Sequence, residues 1–230
     1  MISFNLQTIR YALGKPSKSC QIKSLKKILF KCLDISKKGF FIEVGAFDGE
    51  SFSNTSWLAD IGWKGVYIEP ILEYADRCRS RHSKNNVTVI NCAVGAKDGF
   101  IKINVGEQLT TASSGTLEAY KNIEWASNFN FQEREVPLFS LNSLLQNNPP
   151  SCPIDLLVVD VEGFEEHVFN GLDLSRHEIK MIIVELADLH PDFNNYPELQ
   201  QSAARVRSKI LESNYKEIYS DFVNTIFLQN

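Results

Sequence analysis

The sequence predicts one α/β domain, a mainly parallel sheet covered by helices on both faces, and two observations carry that prediction. Apolar runs rich in branched residues recur at Phe40–Val44 and at 66–69, 87–91, 154–160 and 180–186. Runs without polar alternation are the mark of strands buried on both faces. Helical segments stand between them, including Leu72–Arg81 and one that stops at Gly171. Strands alternating with helices build a parallel sheet.

Ahead of the first strand, Ile22, Leu25, Ile28, Leu29, Cys32 and Leu33 recur at helical spacing, with Lys23, Lys26, Lys27 and Lys31 opposite. This is an amphipathic helix that covers a core. Residues 1–38 are therefore read as a basic N-terminal helical segment, and 39–230 as the main domain. Further on, Asp98-Gly99 is a turn signal, and a hairpin is expected between 93–94 and 100–105. Residues 106–133 are polar with only a weak helical signal, which marks a binding loop or lid. Pro197 suits a helix's first turn, and Leu199, Ala203, Val206 and Ile210 form that helix's buried face. Asn214 caps it, and 215–219 and 224–228 then pair as antiparallel strands.

At 230 residues and 43% hydrophobic composition the chain is long enough and apolar enough for one large core. The net charge of -4 hides an asymmetry. Residues 1–38 carry nine Lys/Arg and one acid, leaving 15 of the 24 basic and 27 of the 28 acidic residues beyond. Two readings of that basic arm stand: a solvated helix face beside an acidic body, or a peripheral contact with an anionic membrane or glycan. No basic stripe interleaved with aromatics follows, so a nucleic-acid partner is not expected. The five cysteines are scattered and never spaced as CxxC, which argues against a disulfide framework or a thiolate zinc site. No apolar run approaches the roughly 20 residues of a membrane span, no signal-peptide core stands out, and a cytoplasmic protein is expected.

Three segments carry chemistry. The strand Phe40–Val44 runs into Gly45-Ala46-Phe47-Asp48-Gly49, a polar turn between two glycines at which a ligand can approach backbone N–H groups. Glu43 and Asp48 would repel a pyrophosphate. They suit a ligand carrying a positive charge and an amino group, such as S-adenosylmethionine; an ordinary strand-to-helix turn is the competing reading. Twenty-four residues beyond Gly45 comes Glu69, an acid at the next strand's end, where a ribose would be held. The third segment is Asp160-Val161-Glu162-Gly163-Phe164-Glu165-Glu166. Glu165 and Glu166 are accounted for by a helix N-terminus. Asp160 and Glu162 are not, because an acid ending a core strand costs desolvation unless it has a partner. That partner is a substrate, an amino group or a hard divalent cation. Glu185 ends the next apolar strand and converges on the same sheet edge.

These motifs resemble the FkbM-type methyltransferases. The resemblance runs from about Phe40 to Leu186. It adds Ser53-Asn54-Thr55, Gly62-Trp63-Lys64-Gly65, Asn91-Cys92-Ala93-Val94, Lys97-Asp98-Gly99, Ser113-Ser114-Gly115 and Leu141-Asn142-Ser143-Leu144-Leu145 to the segments above. The resemblance implies a Rossmann-like class I methyltransferase fold, with a seven-stranded sheet in the order 3-2-1-4-5-7-6 and the last strand antiparallel. It implies an enzyme that uses S-adenosylmethionine and methylates a hydroxyl of a sugar, glycan or other natural product. Glu43, Gly45, Ala46, Asp48 and Asn54 would surround the methionine part of the cofactor. Glu69 would take the ribose, and Asn91, Cys92 and Ala93 would lie against the adenine. Many relatives carry His-Asn after the acid that ends the fifth strand, whereas Leu186-Ala187 follow Glu185 here.

Transfer to an alcohol needs a general base. Candidates are His190, Asp160 and Glu162. His82 and His177 are expected to be exposed, and His167 to sit on a helix surface. Ser113 and Ser114 are candidates to close over the site. A second enzyme reading adds Mg2+ held by Asp160, Glu162 and Glu185. A third keeps the cofactor fold without catalysis, as a module that docks a partner.

Overall fold

The computed structural model describes residues 20–150 and 152–230. Arg10, Lys15 and Lys18 of the basic arm lie outside the described residues. Its seven-stranded sheet is built from β1 (Phe40–Val44), β2 (Lys64–Ile68), β3 (Val87–Ile90), β7 (Ile154–Val159), β8 (Ile179–Glu185), β9 (Tyr215–Ser220) and β10 (Asn224–Gln229). Their spatial order is β3-β2-β1-β7-β8-β10-β9. The first five pair in parallel, while β10 runs antiparallel to both neighbours. Set against the expected order 3-2-1-4-5-7-6, the agreement is complete once the small second sheet is set aside.

Side chains of the central strands alternate between two cores, as the period of two requires. Ile42, Val44, Leu157, Val159, Ile182 and Val184 face one side. There they meet α5 (Leu141–Asn147), α6 (Glu165–Asn170) and α7 (Pro197–Glu212), through Leu141, Leu144, Phe169, Val206 and Ile210. Phe41, Leu156, Val158, Met181 and Ile183 face the other side. They meet α1 (Leu25–Cys32) and α2 (Ser56–Asp60), through Leu25, Leu29, Trp57 and Leu58. Thus the helix of the basic segment is a full partner of the core. Leu25 and Leu29 are completely buried, and the Lys26 ammonium lies 5.2 Å from the centre of the Trp57 ring. Among the described residues no helix is long and apolar enough to cross a membrane.

Four expectations need correction. The hairpin at Asp98-Gly99 does not form. Instead β4 (Ala93–Val94) and β5 (Gly99–Val105) lie on opposite sides of β6 (Gln132–Phe139), giving a second sheet in the order β4-β6-β5. Asp98 accepts a hydrogen bond from the Ser140 N–H at 2.8 Å, just past the end of β6, and so turns the chain around that strand. The irregular stretch 106–133 contains α4 (Ser114–Asn122), and its last residues begin β6. His82, expected to be exposed at the end of α3 (Leu72–Arg81), is only 3% exposed. Its ring stacks on Tyr67 at 4.6 Å, and its nitrogens meet the Gly49 carbonyl at 2.7 Å and Asn85 Oδ1 at 3.0 Å. His177, also expected to be exposed, is half-buried against Asn142 Oδ1 at 3.2 Å, whereas His167 is exposed on its helix, as expected.

Because Leu29 is packed between α1 and the sheet, Leu29→Ala should cost about 2–5 kcal/mol of global stability. Chemical denaturation reads this out. A loss below about 0.5 kcal/mol would mean that α1 is not part of the cooperative core.

Candidate active site

The carboxyl ends of β1, β2, β7 and β8 open on one cavity of about 410 Å³. Ligands in open α/β sheets bind at such an edge, where the strand order reverses. At its floor Gly45 adopts φ +86°. A Cβ there would fall 1.7 Å from the Asp160 carbonyl oxygen, so only glycine lets the two strand ends pass. The Asp160 N–H donates to the Val44 carbonyl at 3.0 Å, and the Gly45 N–H to that of Ile68 at 2.9 Å.

Glu69 follows β2 and is 4% exposed. Its two carboxyl oxygens accept the N–H groups of Phe47 and Ile71, both at 2.8 Å, which fixes the carboxyl plane against the cavity wall. Burial outweighs these hydrogen bonds and pushes its pKa up to about 8. Glu43 points from inside β1, accepts from Ser53 Oγ at 2.9 Å and from the Thr55 hydroxyl, and is raised to about 7 by burial. Both acids line the cavity with Gly45, Cys92 and Ala93.

Other expected cofactor residues commit their side chains elsewhere. Asp48 accepts from the Glu50 and Ser51 N–H groups and the Ser51 hydroxyl, at 2.7–2.9 Å, and so braces its own turn. Ala46 is buried in the core beneath the turn. Asn54 accepts from Cys20 Sγ at 3.6 Å and donates to Gln21 Oε1 at 3.5 Å. The Asn91 amide donates to the Glu69 and Pro70 carbonyls at 2.9 Å each, anchoring the segment after β2. None of these four side chains belongs to the cavity lining.

At the ends of β7 and β8, Asp160, Glu162 and Glu185 converge, with a carboxylate oxygen of each within 4.8 Å of the others. Glu162 has φ +54°, a strained value for a residue with a side chain. Its carboxyl accepts from the Tyr120 hydroxyl on α4, and its carbonyl accepts from Thr111 Oγ1 at 2.6 Å. Burial, then the charge of Asp160, holds Glu162 and Glu185 well above the ordinary carboxylate range. Glu165 does more than face a helix dipole. It is 7% exposed, and its Oε1 takes the N–H groups of Val161 and Gly163 at 3.0 and 3.2 Å, clamping the acid-bearing loop. Glu166 pairs outward with Arg205.

His190 reaches the cavity wall from a short 3₁₀ turn, Pro191–Phe193. Its Nδ1 accepts the Asp192 N–H at 3.2 Å, so that lone pair is already engaged. Ser113 caps α4 by accepting the Thr116 N–H at 3.1 Å, and Ser114 is the helix's first residue. Neither lines the cavity; the preceding stretch, 107–112, does. Sequence reasoning missed Gln21, Phe47, Tyr120, Trp125 and Phe193, all lining residues. The one available signal was the cluster of aromatics in and beside the polar stretch 106–133. Among the described lining residues there is no Lys or Arg to offset the acids.

Comparison with known proteins agrees with this fold. A putative O-methyltransferase from Klebsiella pneumoniae superposes with a TM-score of 0.53 at 11% identity, covering 100% of this chain and 92% of the other. The O-methyltransferase from Bacillus cereus, solved with S-adenosylhomocysteine, gives 0.50 at 13% identity, over 97% and 88% of the two chains. A putative caffeoyl-CoA O-methyltransferase from Staphylococcus aureus gives 0.50 at 11% identity, over 98% and 90%. At such identities the likeness establishes a common fold, that of the class I methyltransferases. No curated protein matches the sequence significantly. The methyltransferase FkbM domain, however, matches residues 43–217, most of the chain and all of the acid-bearing sheet edge. The chain belongs to the FkbM methyltransferase family.

Proposed function

We propose that the protein transfers a methyl group from S-adenosylmethionine to a hydroxyl of a sugar, glycan or other natural product. The observation that carries this reading is the buried Glu69 carboxyl, oriented by two backbone N–H groups at the wall of a cavity whose described lining carries acids and no Lys or Arg. A carboxylate so placed suits a ribose diol, and the remaining acids suit a sulfonium and an ammonium. The Bacillus cereus O-methyltransferase, crystallised with the product S-adenosylhomocysteine, supports the same reading.

Transfer is an in-line displacement. The acceptor oxygen bonds to the methyl carbon as the carbon–sulfur bond breaks, the sulfonium becomes a neutral thioether, and the hydroxyl proton passes to a base. Asp160 is the base on this reading. Glu185 converges with it, and burial, then the charge of Asp160, pushes the Glu185 carboxyl well above the ordinary carboxylate range, which favours Asp160 as the proton acceptor of the two. His190 is the poorer base, since the Asp192 N–H occupies its Nδ1 lone pair. It serves better as a wall of the acceptor site. Glu162, tied to Tyr120, holds α4 against the cavity.

A second reading uses the convergence of Asp160, Glu162 and Glu185, an all-oxygen set that suits a hard divalent ion such as Mg2+. The ion's chemistry would be to acidify the acceptor hydroxyl.

Two outcomes follow. Ribose hydroxyls donate best to an ionised Glu69, whose pKa of about 8 leaves it neutral at pH 6.5. Donor affinity should therefore rise as pH increases through about 8 and level off above it. Glu69→Gln should weaken binding about tenfold or more and flatten the rise; titration calorimetry at several pH values checks both, and a flat wild-type profile would contradict the placement. With the acceptor hydroxyl supplied as a panel of glycans and polyols, Asp160→Asn should lower kcat by about 10²–10⁴, a far larger factor than its effect on donor affinity. His190→Ala should cost less than tenfold. Loss of turnover with EDTA, restored by magnesium, would favour the second reading.

A further inference from the structure

A donor with an amino-acid end brings a carboxylate as well as an ammonium, and the acids of this cavity can meet only the ammonium. The described lining residues supply no Lys or Arg for the carboxylate, and a buried carboxylate without donors is costly. Among the described residues, neutral donors must serve. Tyr74 packs on Phe47 beside Glu69, the end assigned to the ribose; elsewhere around the Gly45 turn, the lining side chains with N–H or O–H groups are Gln21, Ser51 and Ser53. Two of these are already spent: Ser51 Oγ donates to Asp48 at 2.8 Å, and Ser53 Oγ to Glu43 at 2.9 Å. Gln21 is left. Its Nε2 donates one hydrogen bond, to Asp160 Oδ2 at 3.1 Å, and a primary amide carries two N–H bonds.

We propose that Gln21 binds the carboxylate of the methyl donor's amino-acid moiety, so that the N-terminal segment completes the donor site. This rests on the donor reading above. The amide is held from both sides. Its Oε1 accepts from Asn54, which also accepts from Cys20 Sγ. The backbone is fixed by the neighbouring Ile22, 1% exposed, and by Leu25 and Leu29, all in the core with Phe41 and Trp57. An amide is well suited to this place. It separates the incoming carboxylate from Asp160 while hydrogen-bonding to both, which an acid cannot do and a hydroxyl lacks the protons to do. Gln21 also lies ahead of residue 43, where the family match begins. This part of the donor site therefore comes from a segment outside the matched domain.

Two ligands test the proposal on the full chain: S-adenosylhomocysteine, and 5′-methylthioadenosine, which keeps the adenosine thioether and lacks the amino-acid end. Gln21→Met, close in size and without the amide, should weaken S-adenosylhomocysteine about tenfold or more and leave methylthioadenosine within about twofold. Gln21→Glu should weaken the first ligand at least as much, since it adds a repelling charge. Calorimetry reads both affinities, and retained methylthioadenosine binding shows that the adenosine half of the site is folded. Equal losses for the two ligands, or no loss for either, would overturn the inference while leaving the donor reading standing. If the wild-type protein binds neither nucleoside, the donor reading itself fails, and this inference with it.

Discussion

The close passage of the chain at Gly45 over the Asp160 carbonyl is the constraint on which the site depends. The strands β1 and β7 are paired in register up to Val44 and Val159. The next residue of each must diverge without leaving room for even one carbon atom. Gly45 meets this with a left-handed φ that a side chain would resist. The result is a crevice between two adjacent parallel strands whose connections leave in opposite directions. Into it project the acids that the strands carry, Glu43 from within β1 and Asp160 from beyond β7.

Concentrating acids there has an electrostatic cost. Glu43, Glu69, Glu162 and Glu185 are all held above the ordinary carboxylate range, with burial the largest cause in each. Hydrogen bonds from Ser53, Thr55, Phe47, Ile71 and Tyr120 offset part of that cost. A cationic ligand would offset more. On the proposed reading the donor enters with a sulfonium charge and leaves as a neutral thioether. The same acids then hold the substrate form of the cofactor more tightly than the product form, which helps release the product.

The central strands were readable because their chemistry is local. An unbroken apolar run such as 156–159 has no reasonable place except inside a covered sheet, and Glu69 stood out by its position after a strand. The second sheet was not readable. The first half of β6, Gln132–Glu135, is exposed, and the strand is held by pairing with β5 far away in sequence. The Asp98-Gly99 turn signal was genuine, yet its carboxyl is claimed by Ser140, and a local rule cannot see that partner. The same holds at the site. Asp48 and Ser113 look like ligand residues in sequence, but each bonds to backbone N–H groups two or three positions on, as short polar side chains do in turns and caps. Gln21 shows the reverse case. Nothing around it marks a binding residue, and its place follows only from the packing of α1 onto the sheet.

The central claim is that the crevice between β1 and β7 holds an adenosyl donor whose sugar rests on Glu69. A crystal structure of the protein with S-adenosylhomocysteine tests it most directly. Both ribose hydroxyls should lie within hydrogen-bond distance of the Glu69 carboxylate, with the homocysteine end reaching past Gly45 toward Asp160. Adenosine bound elsewhere, or a crevice filled by Phe47 and closed to the ligand, would contradict it.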